Sequence, residues 1–253
     1  MQPPARGEAT PGPPAFRLEG VGKRYGHAVV LDGLSFDVPS GESVLLLGNN
    51  GAGKSTLLRI LSTLMRPSAG LLRFRGAALP QAAQAARREL GMISHDPRLY
   101  GDLTARENLR VFGTLYGVAE LAPAIAGALE EVRLEHVPDV PVRTFSSGML
   151  KRLALARLLL QRPTVLLLDE PYSGLDQASV ALFDAFLERF RRQGGTTLLV
   201  THQFTPGVEG FTRVVILHGG SLVYNQSVTG LNAAACAALL RDHAGAPAQP
   251  ARP

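Results

Sequence analysis

Cysteine occurs once in the 253 residues, at Cys236. An internal disulfide is therefore excluded, and a reducing compartment suits the chain. Long hydrophobic runs are missing as well. Apolar stretches such as Leu158–Leu160 and Val165–Leu168 have the length of core strands or helix segments, and none approaches the roughly 18 residues a membrane-spanning helix needs. Work at a membrane would thus require a partner that supplies the spans. No internal repeat is visible. Lysine is nearly absent: it stands only at Lys23, Lys54 and Lys151, with arginine everywhere else a fixed positive charge is used. In so arginine-rich a chain, a lysine at position 54 points to a need for a compact ammonium there.

What is present is ordinary for a folded protein: 45% hydrophobic and 19% charged residues, enough for a large core with a smaller subdomain. The net charge is +5. Its charges are scattered rather than blocked, which describes a solvated basic surface, and no nucleic-acid partner is expected. Residues 1–15 are rich in proline and glycine and carry no apolar block, so they do not form a secretory signal. They and residues 241–253 are expected to be disordered tails.

Along residues 16–240, alternation over Phe16–Val21 predicts an edge strand, and Leu34–Val38 a second. Ser43–Leu47 is continuously apolar, the pattern of a strand buried on both faces. A helix is predicted over about 54–64, strands over 70–74 and 91–94, and a short helix over 81–90. Helical periodicity fills about 104–161, followed by strand 164–168, helix 178–192, strand 196–201 and a hairpin at Gly219-Gly220. Strands alternating with helices imply an α/β chain with parallel strands. The expected architecture is a P-loop NTPase (RecA-like) core, about 16–94 and 162–240, with an N-terminal antiparallel β region and an inserted α-helical subdomain, about 95–161.

Gly48-Asn49-Asn50-Gly51-Ala52-Gly53-Lys54-Ser55, followed by Thr56, fits the phosphate-loop pattern, with the apolar strand before it and the helix after it. Glycines let the backbone turn with its amides pointing inward, and a helix N-terminus adds aligned donors for phosphate oxygens. Lys54 would reach the β- and γ-phosphates of ATP, and the Ser55 hydroxyl would ligate Mg²⁺. Val165–Leu168 then ends in Asp169-Glu170. Asp169 suits a second Mg²⁺ contact, and Glu170 would polarise the water that attacks the γ-phosphate.

Three further segments complete a recognisable order. Phe145–Met149 precedes an amphipathic helix, Ser173–Asp176 follows Glu170, and Thr201-His202 ends the next strand. Residues 16–225 thereby resemble the ATP-binding subunits of ABC transporters. The resemblance implies that Phe145–Met149 is the signature motif, Ser173–Asp176 the D-loop, His202 the switch histidine assisting Glu170, and Tyr25 the ring stacked on adenine. It also implies a second ATP-binding domain as partner, in a homodimer or heterodimer, with Ser146 and Gly148 meeting the γ-phosphate held by the other domain. A multi-spanning permease subunit would dock near residues 95–108, placing the chain on the cytoplasmic face of a bacterial membrane.

Two positions depart from the family pattern. His95 stands where a Mg²⁺-contacting glutamine is usual, which would make turnover more sensitive to pH. Ser147 and Met149 stand where glycine and glutamine are usual, and a Cβ at 147 predicts weaker or partner-dependent hydrolysis. Within the family, the Ser-His of 94–95, Leu103–Leu109 and Thr201-His202-Gln203 look closest to the ATP-binding subunit of the heme exporter of cytochrome c maturation. They resemble ABC-2-type exporters nearly as well, and both assignments stay open. The alternative from another class is a non-transport ABC ATPase acting on ribosomes or DNA. The second ATPase unit, coiled coil or lysine-rich linker usual in such proteins is not visible here.

Overall fold

The computed structural model describes residues 12–79, 81–94, 96–201 and 206–245. Two sheets form the frame. The first is antiparallel, in the order β2 (Ala28–Val38), β1 (Phe16–Tyr25), β4 (Ala69–Phe74), β5 (Ala77–Ala78). The second has the order β10 (Ser221–Ser227), β9 (Arg213–His218), β3 (Ser43–Leu47), β8 (Thr196–Val200), β7 (Val165–Asp169), β6 (Leu90–Ile93). All its pairings are parallel except β10 with β9, which join through the turn at Gly219-Gly220.

The Phe16–Val21 segment is not an edge. It lies inside the first sheet, paired with β2 on one side and β4 on the other. Its alternation reports that one face of the sheet is covered and the other solvated, a property of inner and outer antiparallel strands alike.

The inner strands of the second sheet are buried on both faces, and the period of two sorts their residues between two cores. Val44 and Leu46 of β3 join one core, with Leu167, Leu198 and Val215. Leu45 and Leu47 join the other, with Leu166, Leu168, Leu199 and Ile216. The first core is closed by the antiparallel sheet and by α1 (Lys54–Leu61), through Phe16, Leu18, Leu57 and Leu61. The second is closed by α6 (Gln177–Arg192), α7 (Ala233–Ala244) and the helical region. Burying each such leucine contributes on the order of 2 kcal/mol, so β3 is anchored from both sides just before the phosphate loop.

The short α2 (Ala83–Glu89) leads into β6. Three helices, α3 (Ala105–Tyr116), α4 (Leu121–Glu131) and α5 (Ser147–Gln161), pack together between β6 and β7. Thr104 opens α3 with a capping box closed by Glu107, the signature of Thr-x-x-Glu. The expected tail at 241–253 overlaps the last helix, and residues 246–253 lie outside the described residues. Arg241–Ala244 still belong to α7, because Asn232 caps its start and Cys236 and Ala244 are buried against the core.

Candidate functional site

β3 delivers the chain directly into the phosphate loop. Gly48, Gly51 and Gly53 take φ of 149°, 82° and 95°, a region open to glycine. Close packing adds a second demand. A Cβ on Gly48 would run into the Leu217 carbonyl oxygen, and one on Gly53 would lie 2.8 Å from the Val30 carbonyl oxygen. The loop is therefore wedged between the β9 end and β2. Asn50 is exposed at its tip, while Ala52 is buried and donates its N–H to the Asn49 carbonyl at 3.1 Å. Asn49 donates from Nδ2 to the Ala244 carbonyl at 2.9 Å, joining the loop to the end of α7.

Lys54 begins α1 and curls back, donating to the carbonyls of Gly48 at 2.7 Å and Asn49 at 3.0 Å. Burial pulls its ammonium below the ordinary lysine range, while the nearby Glu170 and Asp169 carboxylates oppose that. The group is thus poised to gain from an anion that replaces its lost water. The pKa of the Asp169 carboxyl is raised, chiefly by burial and further by the nearby Glu170, while the Ser55 hydroxyl on α1 acts to lower it. Thr56 follows in the first turn of α1 and is half-buried.

Glu170 follows β7 in the left-handed region, φ 50°. Its N–H donates to the Val200 carbonyl of β8 at 2.9 Å, and its Oε2 accepts from the Thr201 hydroxyl at 3.2 Å. The ends of β3, β7 and β8 and the start of α1 therefore bring together Lys54, Ser55, Asp169 and Glu170. The hard oxygens of Ser55 and Asp169, near enough for the hydroxyl to act on the carboxyl, fit a divalent cation of the Mg²⁺ type, which takes few protein ligands and completes its shell with phosphate and water.

Tyr25 stands apart at the end of β1, 46% exposed, its hydroxyl 3.1 Å from Met65 Sδ and the Lys23 ammonium 5.4 Å from its ring centroid. Ser146 and Gly148 form another separate cluster. Ser146 caps α5, accepting from the Met149 N–H at 3.2 Å. A Cβ on Gly148 would meet nothing nearer than 3.9 Å. Among the described residues no hydrogen bond joins this cluster to residues 48–56. His95 and His202, the expected metal contact and switch histidine, lie outside the described residues.

Sequence reasoning missed three buried polar anchors. Asn108 is fully buried and cross-links its own loop, accepting from the Tyr100 N–H at 2.8 Å and donating to the Tyr100 carbonyl at 2.9 Å. Arg157 donates to the carbonyls of Met92 at 3.0 Å and Pro97 at 3.1 Å and stacks over Phe112 at 4.9 Å. Lys151 donates to the carbonyls of Glu170, at 3.1 Å, and of Ser173. The rarity of lysine was the one available hint, and it applied to Lys151 as much as to Lys54.

A strand, a glycine nest closed by Lys-Ser, and an acidic strand end beside it define a P-loop NTPase. The ABC transporter family profile matches residues 31–173, and the chain belongs to that family. It is 43% identical over 204 residues to a Nod factor export ATP-binding protein I of Ralstonia nicotianae, an alignment covering 78% of this chain and 64% of that protein. The chain thus spans less than two thirds of that relative's length. Among solved structures, an ATP-binding subunit of an ABC transporter superposes with a TM-score of 0.78 at 30% identity, covering 85% of this chain and 90% of that one. The cbiO1 protein of Clostridium perfringens, part of an ABC transporter complex, superposes with a TM-score of 0.69 at 25% identity, covering 85% and 89%. The expected architecture, a P-loop core with an antiparallel β region and inserted helices, is the architecture found.

Proposed function

We propose that this chain is the ATP-hydrolysing subunit of an ABC exporter, working through separate membrane-spanning subunits. The observation that carries it is the convergence of Lys54, Ser55, Asp169 and Glu170 at one end of the parallel sheet. In this reading the loop amides of 48–53 and Lys54 hold the β- and γ-phosphates of ATP, and Tyr25 stacks on the base. Ser55 and Asp169 hold Mg²⁺, which would neutralise phosphate charge. Glu170, fixed through its amide and through Thr201, orients the attacking water. His95 and His202 keep their proposed roles as metal contact and switch histidine.

Gly148 supports pairing with a second ATP-binding domain. Among the described residues nothing demands a glycine there, which leaves room for a group from a partner, and Ser146 and Gly148 sit at a helix N-terminus suited to a phosphate. No helix of the described residues is long and apolar enough to cross a membrane. A peripheral position on the cytoplasmic face is proposed, with a permease docking near residues 95–108. Tyr100, 52% exposed, presents an apolar ring on that stretch, and Asn108 and Arg157 hold its backbone.

The cargo follows the relatives' names only as far as export. Relatives called Nod factor export proteins favour a general exporter over heme. Heme export is the second reading, and it rests on the segments 94–95, 103–109 and 201–203. The test is copurification of the intact chain with a multi-spanning membrane protein that raises its Mg²⁺-dependent ATPase rate. Stimulation by DNA or ribosomes, with no membrane partner recovered, would favour the non-transport ATPase instead.

A further inference from the structure

Ser147 and Lys151 are four residues apart on α5 and so share one face of it. That face looks onto the loop that leaves β7. Ser147 Oγ donates to the Gly174 carbonyl at 3.2 Å, and Lys151 Nζ donates to the carbonyls of Glu170, at 3.1 Å, and of Ser173. Three carbonyls of a five-residue stretch are thus gathered by two side chains of one helix.

The stretch needs outside support. Glu170 is a non-glycine residue at φ 50°, a strained conformation that persists only where its surroundings enforce it. Val200 fixes the amide side of Glu170, and Lys151 fixes its carbonyl side. With both peptide groups held, the direction of the Glu170 side chain is set. Residue type matters here. An ammonium offers three donors on a compact centre, which suits two converging carbonyls better than a planar guanidinium does. Lys151 is buried, and burial pulls its pKa down. The carbonyls replace the water it has lost.

We propose that Ser147 and Lys151 are positioning residues, acting as one clamp that ties the start of α5 to the 170–174 loop and so aims the Glu170 carboxylate for hydrolysis. The serine that replaces the usual glycine is then not simply an obstruction. It adds a bond by which the position of the signature turn reaches the hydrolytic carboxylate. The proposal rests on the assignment of Glu170 as that carboxylate.

The test uses the full chain and three variants, Lys151→Met, Ser147→Ala and the double variant, with Glu170→Gln as reference. Lys151→Met keeps the length of the side chain and removes its donors. It is expected to lower kcat about 10- to 100-fold, the usual weight of a charge-assisted hydrogen bond, with KM for ATP within about twofold. Ser147→Ala is expected to lower kcat about threefold. The double variant should fall short of the product of the two, because both side chains hold one loop. Hydrogen exchange supplies a readout independent of turnover. The amides of Ser173 and Leu175, bonded to Glu170 and Tyr172, should exchange at least about tenfold faster in Lys151→Met, while those of Ala52 and Leu57 keep their rates. If Lys151→Met does not fold, the exposed Ser147→Ala is judged by the same exchange. Unchanged kcat and exchange in a chain that Glu170→Gln inactivates overturn the clamp alone. A Glu170→Gln chain that hydrolyses ATP at the normal rate overturns the assignment of Glu170 instead.

Discussion

Two of the glycine-bearing turns, the phosphate loop at 48–53 and the turn at 146–148 that resembles the family signature, are built on opposite principles. In the phosphate loop the chain itself dictates glycine: positive φ combines with backbone so close that a Cβ has no room at Gly48 or Gly53. Lys54 and Ser55 are likewise engaged by the chain's own carbonyls and carboxylate. In the turn at 146–148 nothing among the described residues excludes a side chain at Gly148. Half of the machinery is thus self-contained, and in the proposed function the other half serves a second ATP-binding domain. A site divided in this way would close only with that partner, and the shared nucleotide would be the group that biases the closed state.

The contrast gives predictions that separate the halves. The largest effect is expected from Glu170→Gln, with ATP turnover down on the order of 10²- to 10⁴-fold and ATP affinity retained, measured by steady-state hydrolysis and equilibrium binding. Lys54→Ala should instead weaken ATP binding about 10- to 100-fold, because it removes a charged donor from a half-buried site. A sharper comparison pairs two alanines. Gly53→Ala meets both strain and the Val30 carbonyl, so its melting temperature should fall by at least about 2–4 °C, the shift of about 1 kcal/mol in a chain of this size. Gly148→Ala should melt within about 1 °C of the parent and lose only the ATP-driven association of two chains, read by light scattering. A Gly148→Ala chain that unfolds as readily as Gly53→Ala would erase the distinction. The smallest effect is expected from Tyr25→Ala, about a two- to tenfold loss of ATP affinity, as for one aromatic contact.

Asp169 adds a test by pH. Its folded pKa is raised, so the folded chain without nucleotide holds its proton to higher pH than the unfolded chain does. Its contribution to stability therefore falls as pH rises through the window between the ordinary carboxylate value and the raised one, and it is unfavourable above that window. Asp169→Asn should raise the melting temperature at neutral pH without nucleotide, and abolish the further rise that Mg²⁺ and ATP give the parent. Mg²⁺ affinity of the parent should weaken on acidification before an ordinary carboxylate would titrate.

The phosphate loop was legible because its chemistry is local. Eight consecutive residues carry the glycines, the lysine and the serine, and the apolar run Ser43–Leu47 announces the strand that feeds them. Thr104 and Glu107 announced the start of α3 in the same way. The inner position of β1 was not legible, since alternation tells which faces are covered and not which neighbours pair. Nor were the roles of Asn108 and Arg157, whose partners are backbone carbonyls that have no identity in a sequence.

The sequence by itself determined that this chain builds the phosphate loop of its family, because a strand, a nest and a helix N-terminus need only neighbours along the chain. Only the tertiary structure decided what Ser147 and Lys151 do. Read in sequence, Ser147 is a defect in the signature and Lys151 an unremarked cation. Folded, their partners lie 19 to 27 residues away, on a loop that α5 meets only once β7 is set in the sheet. Side chains acting on distant carbonyls leave no spacing pattern to find, and that is the physical reason the phosphate loop could be read and the clamp could not.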